Sequence, residues 1–369
     1  LGQRNGRVAE ATLEALASLG GNLRQEVQFQ WITEAAADPD PERRRLAALA
    51  IGVADNSSSD LLDGLINDPA PRVAEAACRS AGRLQDRVRV LTLVSRLSDS
   101  RLRGAVIDAL AAYGSRICGT LGDVLEDKSI PVAVRRQVPR VLRLIPDQRS
   151  VDVLLRSIGE PELTIRATVL KALNRLREAA PHLDYRGEFV TRQIMSEARY
   201  YYELYAALAP FREMRETRPA ARLVALSLEE RLKQTVERLF RLLGLRYPPK
   251  EIYAAYLAVN QRRSESYSAA VEFLDSVLER PLKRVLLPLL DENGDTVSHG
   301  RDLFGIEVFD IERAVGELIG SGDSWLVACA MAAAAELNLK RLARTISETG
   351  SRAGSEVAEV ARSAAGALA

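Results

Sequence analysis

Asp68-Pro69-Ala70-Pro71-Arg72-Val73-Ala74-Glu75-Ala76-Ala77 decides the fold. It reads as an acidic residue, one or two turn-formers, an arginine, and then an Ala/Leu/Val helix that ends near glycine. The same order returns about every thirty residues through the first half of the chain. Asp38-Pro39-Asp40-Pro41 with Arg43 to Arg45 precedes it. Asp99-Ser100 with Arg101 and Arg103, Asp127-Lys128 with Arg135, and Glu160-Pro161 with Arg166 follow. A truncated first copy opens at Arg7 with the helix Val8 to Leu16. A fixed period of this length means stacked helical hairpins.

The chemistry of each corner is legible. Asp beside Pro stops one helix and caps the next. Each corner precedes an apolar stripe at helical spacing, such as Leu46, Leu49, Ala50 and Val53,. A second stripe, such as Leu61, Leu62, Leu65 and Ile66, lies between corners. Two helices per repeat, short connections and no strand-like alternation predict an all-α solenoid. The acidic residue of one repeat and an arginine of its own or the next repeat are expected to pair along the stack. Pro131 and Pro139 predict a kinked fourth repeat, because proline inside a helix removes a hydrogen bond and clashes with the preceding turn. This order of residues resembles the HEAT-repeat pattern, Asp-x-x-x-x-Arg-x-x-Ala-x-x-Ala-Leu.

Composition narrows the function. The 369 residues carry a net charge of +1, which argues against a dedicated nucleic-acid binder,. Cys78, Cys118 and Cys329 stand far apart among small apolar residues, as buried free thiols of a reducing compartment do,. His182 and His299 are the two histidines, and neither sits in metal-ligand spacing,. No phosphate-binding glycine loop follows a strand. Neither metal nor cofactor is expected, and no residue set points to catalysis. No secretory signal and no run of eighteen apolar residues is visible,. The chain begins at Leu1 rather than Met, so it is expected to be a piece of a longer protein.

The period breaks near residue 182. Nine of the ten tyrosines lie between 185 and 267. Phe189 to Leu208 predicts a long helix with Val190, Ile194, Ala198, Tyr201, Tyr205 and Leu208 on one face, and Tyr200 and Tyr202 at its margins. Ser227-Leu228-Glu229-Glu230 has the spacing of a capping box, with a helix running to Gly244. Asp291 to Asp310 reads as loop. Hairpins resume at Tyr267 to Leu274, Pro281 to Leu290, Ile311 to Ile319 and Leu326 to Leu337, and end with Val357 to Leu368. The expected division is HEAT repeats over 1–181, an irregular long-helix insertion over 182–265, and further repeats over 266–369.

Leu242-Leu243-Gly244-Leu245-Arg246-Tyr247-Pro248-Pro249-Lys250-Glu251-Ile252-Tyr253-Ala254-Ala255-Tyr256 carries a more particular resemblance. So do Ala270 to Leu278 and Arg280-Pro281-Leu282-Lys283-Arg284-Val285-Leu286-Leu287-Pro288-Leu289-Leu290-Asp291. Together they resemble the HEAT region fused behind the membrane part of bacterial ATP/ADP-translocase-like transporters. The resemblance implies a major-facilitator-type domain before this region and, often, a cyclic-nucleotide-binding domain after it. It implies a cytoplasmic module, tethered to the inner membrane through a transmembrane domain outside this sequence. The family's transport residues lie in membrane helices, so none is assigned here.

Two basic groups are candidate contact sites. Arg135, Arg136, Arg140, Arg143 and Arg166 form the first, either locking corner carboxylates or receiving an acidic protein partner. Arg212, Arg215, Arg218 and Arg222 form the second, either a solvated face or a contact to anionic lipid headgroups. Residues 210–250 hold ten Arg and Lys against five Asp and Glu. The expected role is a non-catalytic scaffold for a protein partner or for neighbouring domains of the same polypeptide. A free-standing adaptor is the second reading, and a HEAT-type bilin lyase or DNA-alkylation glycosylase the third. Trp31 and Trp325 are expected to pack in the interior.

Overall fold

The computed structural model describes residues 11, 12, 15, 29–53, 60–214, 216–261, 264–291 and 295–369, and the described residues contain helices and turns but no strand. The Arg7–Leu16 opening, Arg215 and the Asn293-Gly294 turn lie wholly or largely outside them. The chain divides into two compact units, 1–185 and 186–369.

In the first unit the helices alternate between two rows. One row holds α1 (Phe29–Ala36), α3 (Leu61–Ile66), α5 (Val90–Ser95), α7 (Cys118–Glu126) and α10 (Gln148–Arg156). The other holds α2 (Pro41–Ile51), α4 (Pro71–Leu84), α6 (Arg103–Ala112), the pair α8 (Val132–Arg135) and α9 (Val138–Leu142), and α11 (Leu163–Ala179). Contacts run α2 to α4, α4 to α6, α6 to α9 and α9 to α11, so each second helix lies on the next. This is the hairpin stack that the period predicts.

The corners share one device. Asp38, Asp68, Asp99 and Asp127 each accept the backbone N–H two residues on, at 2.8, 2.8, 3.0 and 2.8 Å. Glu160 reaches for the same bond at 3.5 Å. Such a turn satisfies a backbone donor locally and sets the chain for the next helix. Pro41 and Pro71 then occupy the first position of their helices, where a missing N–H costs nothing,.

Small residues let successive second helices touch. A Cβ on Gly52 would lie 2.4 Å from Ser80 Oγ, and one on Gly82 would lie 2.7 Å from Ala109 Cα. Gly52 and Gly82, at the ends of their helical stripes, are therefore stacking residues. In the fourth repeat the second helix breaks after Arg135 and restarts at Val138, with Pro139 in the first turn of the new segment. The predicted kink is thus a helix restart.

The second unit is built on α12 (Gly187–Arg212) and α13 (Pro219–Arg246). The predicted face of α12 is buried at Val190, Ile194, Ala198, Tyr201 and Leu208, with Tyr205 half-buried. Next come α14 (Pro249–Gln261), α15 (Ser264–Val277), α16 (Arg280–Leu290) and α17 (Thr296–Phe304), then α18 (Ile311–Ile319), α19 (Ser324–Glu336), α20 (Ala343–Arg352) and α21 (Ser355–Leu368). One apolar core takes Leu208, Phe211, Val224, Leu228, Val315, Met331, Ile346 and Ala361 from α12, α13 and α18 to α21. The long hairpin and the C-terminal helices therefore exclude water together, each fully buried large aliphatic contributing roughly 2 kcal/mol.

Four local expectations are corrected. Ser227 lies inside α13, which starts at Pro219, so Ser227 to Glu230 does not cap a helix. The amide groups of Ala220 and Ala221 are met by Glu336 Oε2 at 3.1 and 3.2 Å, a cap supplied from 116 residues away. Gly244 is buried within the last turn of that helix rather than ending it. Tyr202 is fully buried, not marginal: its hydroxyl donates to the Val285 carbonyl at 3.0 Å and its ring packs on Gly300. Part of the expected loop forms α17, capped by Asp295 at its start and by Gly305 at its end.

Candidate functional site

The first basic group separates into two roles. Arg135 is 3% exposed; its Nε donates to the Leu125 carbonyl at 2.9 Å and its Nη2 to Glu160 Oε2 at 3.0 Å. Arg166 Nε donates to the Glu160 carbonyl at 2.8 Å. Both arginines thus hold the Glu160 corner, one through its carboxylate and one through its backbone.

Arg136, Arg140 and Arg143 differ. All three are exposed, and among the described residues no hydrogen bond or ion pair engages their guanidinium groups. From Val134 to Leu142 every residue except Arg136 and Arg140 is buried. The outward side of this segment is therefore arginine, extended by Leu144 at 44% exposure.

The other repeat arginines show what a committed one looks like. Arg44 Nε donates to Asp68 Oδ2 of the next corner at 2.7 Å, and its Nη1 donates to the Asp38 and Pro39 carbonyls. Burial alone would raise the Asp68 carboxyl, but hydrogen bonds from Arg44 and the Ala70 amide outweigh it and hold the group below its ordinary value. Arg103 donates to the Leu97 and Ser98 carbonyls of its own corner. Arg72 is exposed and joins no corner carboxylate among the described residues. The expected lock between repeats is thus made by Arg44 and Arg135. Arg103 and Arg166 instead tie down their own corner.

The second basic group lies at the ends of α12 and α13. Arg212 is exposed, with its guanidinium 4.3 Å from the centre of the Tyr205 ring. Arg218 precedes the first residue of α13 and Arg222 lies in its first turn; both are exposed without a partner among the described residues.

Trp325 corrects another expectation. It is 61% exposed, although its Nε1 donates to Ser227 Oγ at 3.0 Å. Trp31 is half-buried in α1.

Cys78, Cys118 and Cys329 are buried free thiols, and burial pushes Cys78 up to about 12, far from a reactive thiolate,. Among the described residues no three His, Cys, Asp or Glu side chains converge as metal ligands. No helix among them is long and apolar enough to cross a membrane.

Two buried arginines escaped sequence reasoning. Arg89, 2% exposed, reaches Asp86 of its own turn and Asp60 of the preceding repeat. Arg238 Nε donates to Glu197 Oε1 at 2.6 Å, joining α13 to α12 with Arg238 buried and Glu197 half-buried. The Asp60 and Glu197 partners, 29 and 41 residues away, have no local spacing to read.

Neither a protein family nor a characterised protein matches the sequence. Among solved structures, an engineered protein from a structural genomics consortium aligns over 100% of this chain and 97% of its own, at 13% identity and a TM-score of 0.29. Importin beta aligns over 98% of this chain and 60% of its own, at 12% identity and a TM-score of 0.34. Kap121p aligns over 97% and 54%, at 12% identity and a TM-score of 0.29. The chain therefore spans between half and two thirds of the length of these last two proteins.

Proposed function

We propose that this chain is a non-catalytic HEAT-type scaffold, and that Arg136, Arg140 and Arg143 receive an acidic segment of a protein partner. One observation carries the reading. Arg44 and Arg135, which join corners of adjacent repeats, are half-buried and buried and hydrogen-bonded to corner carboxylates. These three are exposed and uncommitted on a segment whose other residues are core. Guanidinium groups recognise carboxylates in a bidentate fork, which makes arginine the residue for such a surface.

The test is the triple charge reversal Arg136→Glu, Arg140→Glu and Arg143→Glu. Wild type should retain a fluorescent poly-glutamate peptide at low salt and release it as salt rises. The triple variant should bind about threefold to a hundredfold more weakly with its helicity intact, since exposed charge pairs contribute roughly 0.2–1 kcal/mol each. Equal binding by both proteins refutes the reading.

The finer assignment is a cytoplasmic module of an ATP/ADP-translocase-like membrane protein. The resemblance at 242–256 and 270–291 supports it. An upstream reading frame without membrane helices would remove that support. Contact with a membrane surface draws on Arg212, Arg218 and Arg222, which are exposed on one end of the second unit's long hairpin. Arg218→Ala with Arg222→Ala should then lower co-sedimentation with phosphatidylserine vesicles, each cation contributing about 1 kcal/mol near such a surface.

A further inference from the structure

The second unit carries a cleft with the opposite electrical character. Gly305, at φ +67, ends α17 and donates to the Arg301 carbonyl at 2.8 Å. Asp310 Oδ1 accepts the Arg313 amide at 2.8 Å and starts α18. Between these two caps the chain from Gly305 to Phe309 forms one wall of a cavity of about 530 Å³ against α12. That volume is in the range of ligand pockets. A second cavity of about 460 Å³ adjoins it, and the two share Arg313 and Glu317.

The first chamber is lined by small residues, Ala206, Ala207 and Ala314, and by the aromatic residues Tyr200, Phe304 and Phe309. Its charges are unequally engaged. Arg199 is tied to Glu203 at 2.9 Å. Glu317 stands four residues after Arg313, the spacing of a helical ion pair. Arg313 turns away from it, its guanidinium 3.8 Å from the Phe309 ring centre. Glu317 and Glu307 are both exposed, and no hydrogen bond or ion pair engages either carboxylate among the described residues. The second chamber adds Asp310 and Glu312, the latter 3.9 Å from the exposed Arg341. What remains uncommitted along the cleft is the negative charge of Glu307 and Glu317. Arg313 on Phe309 shows that a guanidinium fits this wall,.

We infer that this cleft binds an extended basic peptide segment of a partner protein, with an apolar or aromatic side chain in the first chamber and Arg or Lys side chains at Glu307 and Glu317. Two adjoining chambers that share Arg313 and Glu317 give room for a segment longer than one side chain, and the free carboxylates give it a sign. The site is separate from the arginine stripe of the first unit and does not depend on it.

The probe is a fluorescein-labelled peptide of one phenylalanine followed by alternating glycine and arginine, read by anisotropy on the whole chain. Its counterparts carry glutamate for arginine, or glycine for phenylalanine. The arginine peptide should bind about tenfold more tightly than the glutamate peptide. Glu307→Gln with Glu317→Gln, two exposed positions that leave the core untouched, should remove most of that preference. Ala207→Phe, which fills the first chamber, should abolish the advantage of the phenylalanine peptide over its glycine counterpart. Arginine and glutamate peptides bound equally, or a preference that survives the double glutamine variant, would overturn the site. Retained preference for phenylalanine in Ala207→Phe would overturn the assignment of the first chamber.

Discussion

The two units solve the same problem in different ways. The first stacks short helices whose corners close on themselves, an acidic side chain holding the amide two residues on. Its neighbours meet through glycine against small residues. The second places two helices of 26 and 28 residues at the centre and wraps shorter ones around them. Its polar ties are long in sequence: Glu336 to the start of α13, Arg238 to Glu197, and Tyr202 to Val285. A repeat can be written locally and copied, whereas a central hairpin needs partners that local spacing does not specify.

The largest test of this contrast is the Arg238–Glu197 pair of the second unit. Arg238→Leu alone removes the buried guanidinium that Glu197 accepts from and should cost about 3 kcal/mol in urea unfolding,. Arg238→Leu with Glu197→Leu should recover much of that loss. A single variant as stable as wild type would mean that the two long helices are held by apolar packing alone.

Next comes the stacking glycine. Gly82→Val puts a Cβ 2.7 Å from Ala109 Cα and should cost about 1–3 kcal/mol,. Gly64→Ala in α3 is the control: its Cβ meets nothing within 4 Å. It should stabilise by up to about 1 kcal/mol through helix propensity. If both behave alike, close approach is not what glycine supplies to the stack.

The inter-repeat lock has a pH signature. The Asp68 carboxyl is held below its ordinary value of 3.8 in the folded chain. A depressed carboxyl contributes stability that is present above the unfolded value and is lost as pH falls through the folded one. The advantage of wild type over Asp68→Asn should therefore be constant near neutrality and shrink below about pH 3.8. A difference that persists in acid would mean that the charge pair with Arg44 is not what Asp68 contributes,.

The smallest effect is expected at Trp325. Trp325→Phe removes one hydrogen bond to Ser227 at a largely exposed site and should cost about 1 kcal/mol or less,.

These differences also explain what could be read in advance. The hairpins of the first unit follow from acid, proline and arginine at a fixed period, because each of those residues acts within its own corner. Ser227 shows the opposite: its spacing to Glu230 is that of a cap, yet apolar residues on both sides carry the helix through it. Tyr202 looked marginal on the helical wheel because its partner, Gly300, is remote in sequence. Among the basic candidates, spacing selected five arginines around residue 140 but could not separate Arg135 and Arg166, which serve the fold, from the three that face outward. The cleft had no linear signature, since Tyr200, Phe304 and Glu317 meet only after α12 and α18 pack.

The positions of the two tryptophans have a practical outcome. Trp31 belongs to the first unit and Trp325 to the second, and the chain has no other indole. Replacing either one leaves a single intrinsic fluorophore that watches one half of the polypeptide. Emission from Trp31 will report melting of the repeat stack, and emission from Trp325 events beside the long hairpin, without any added label.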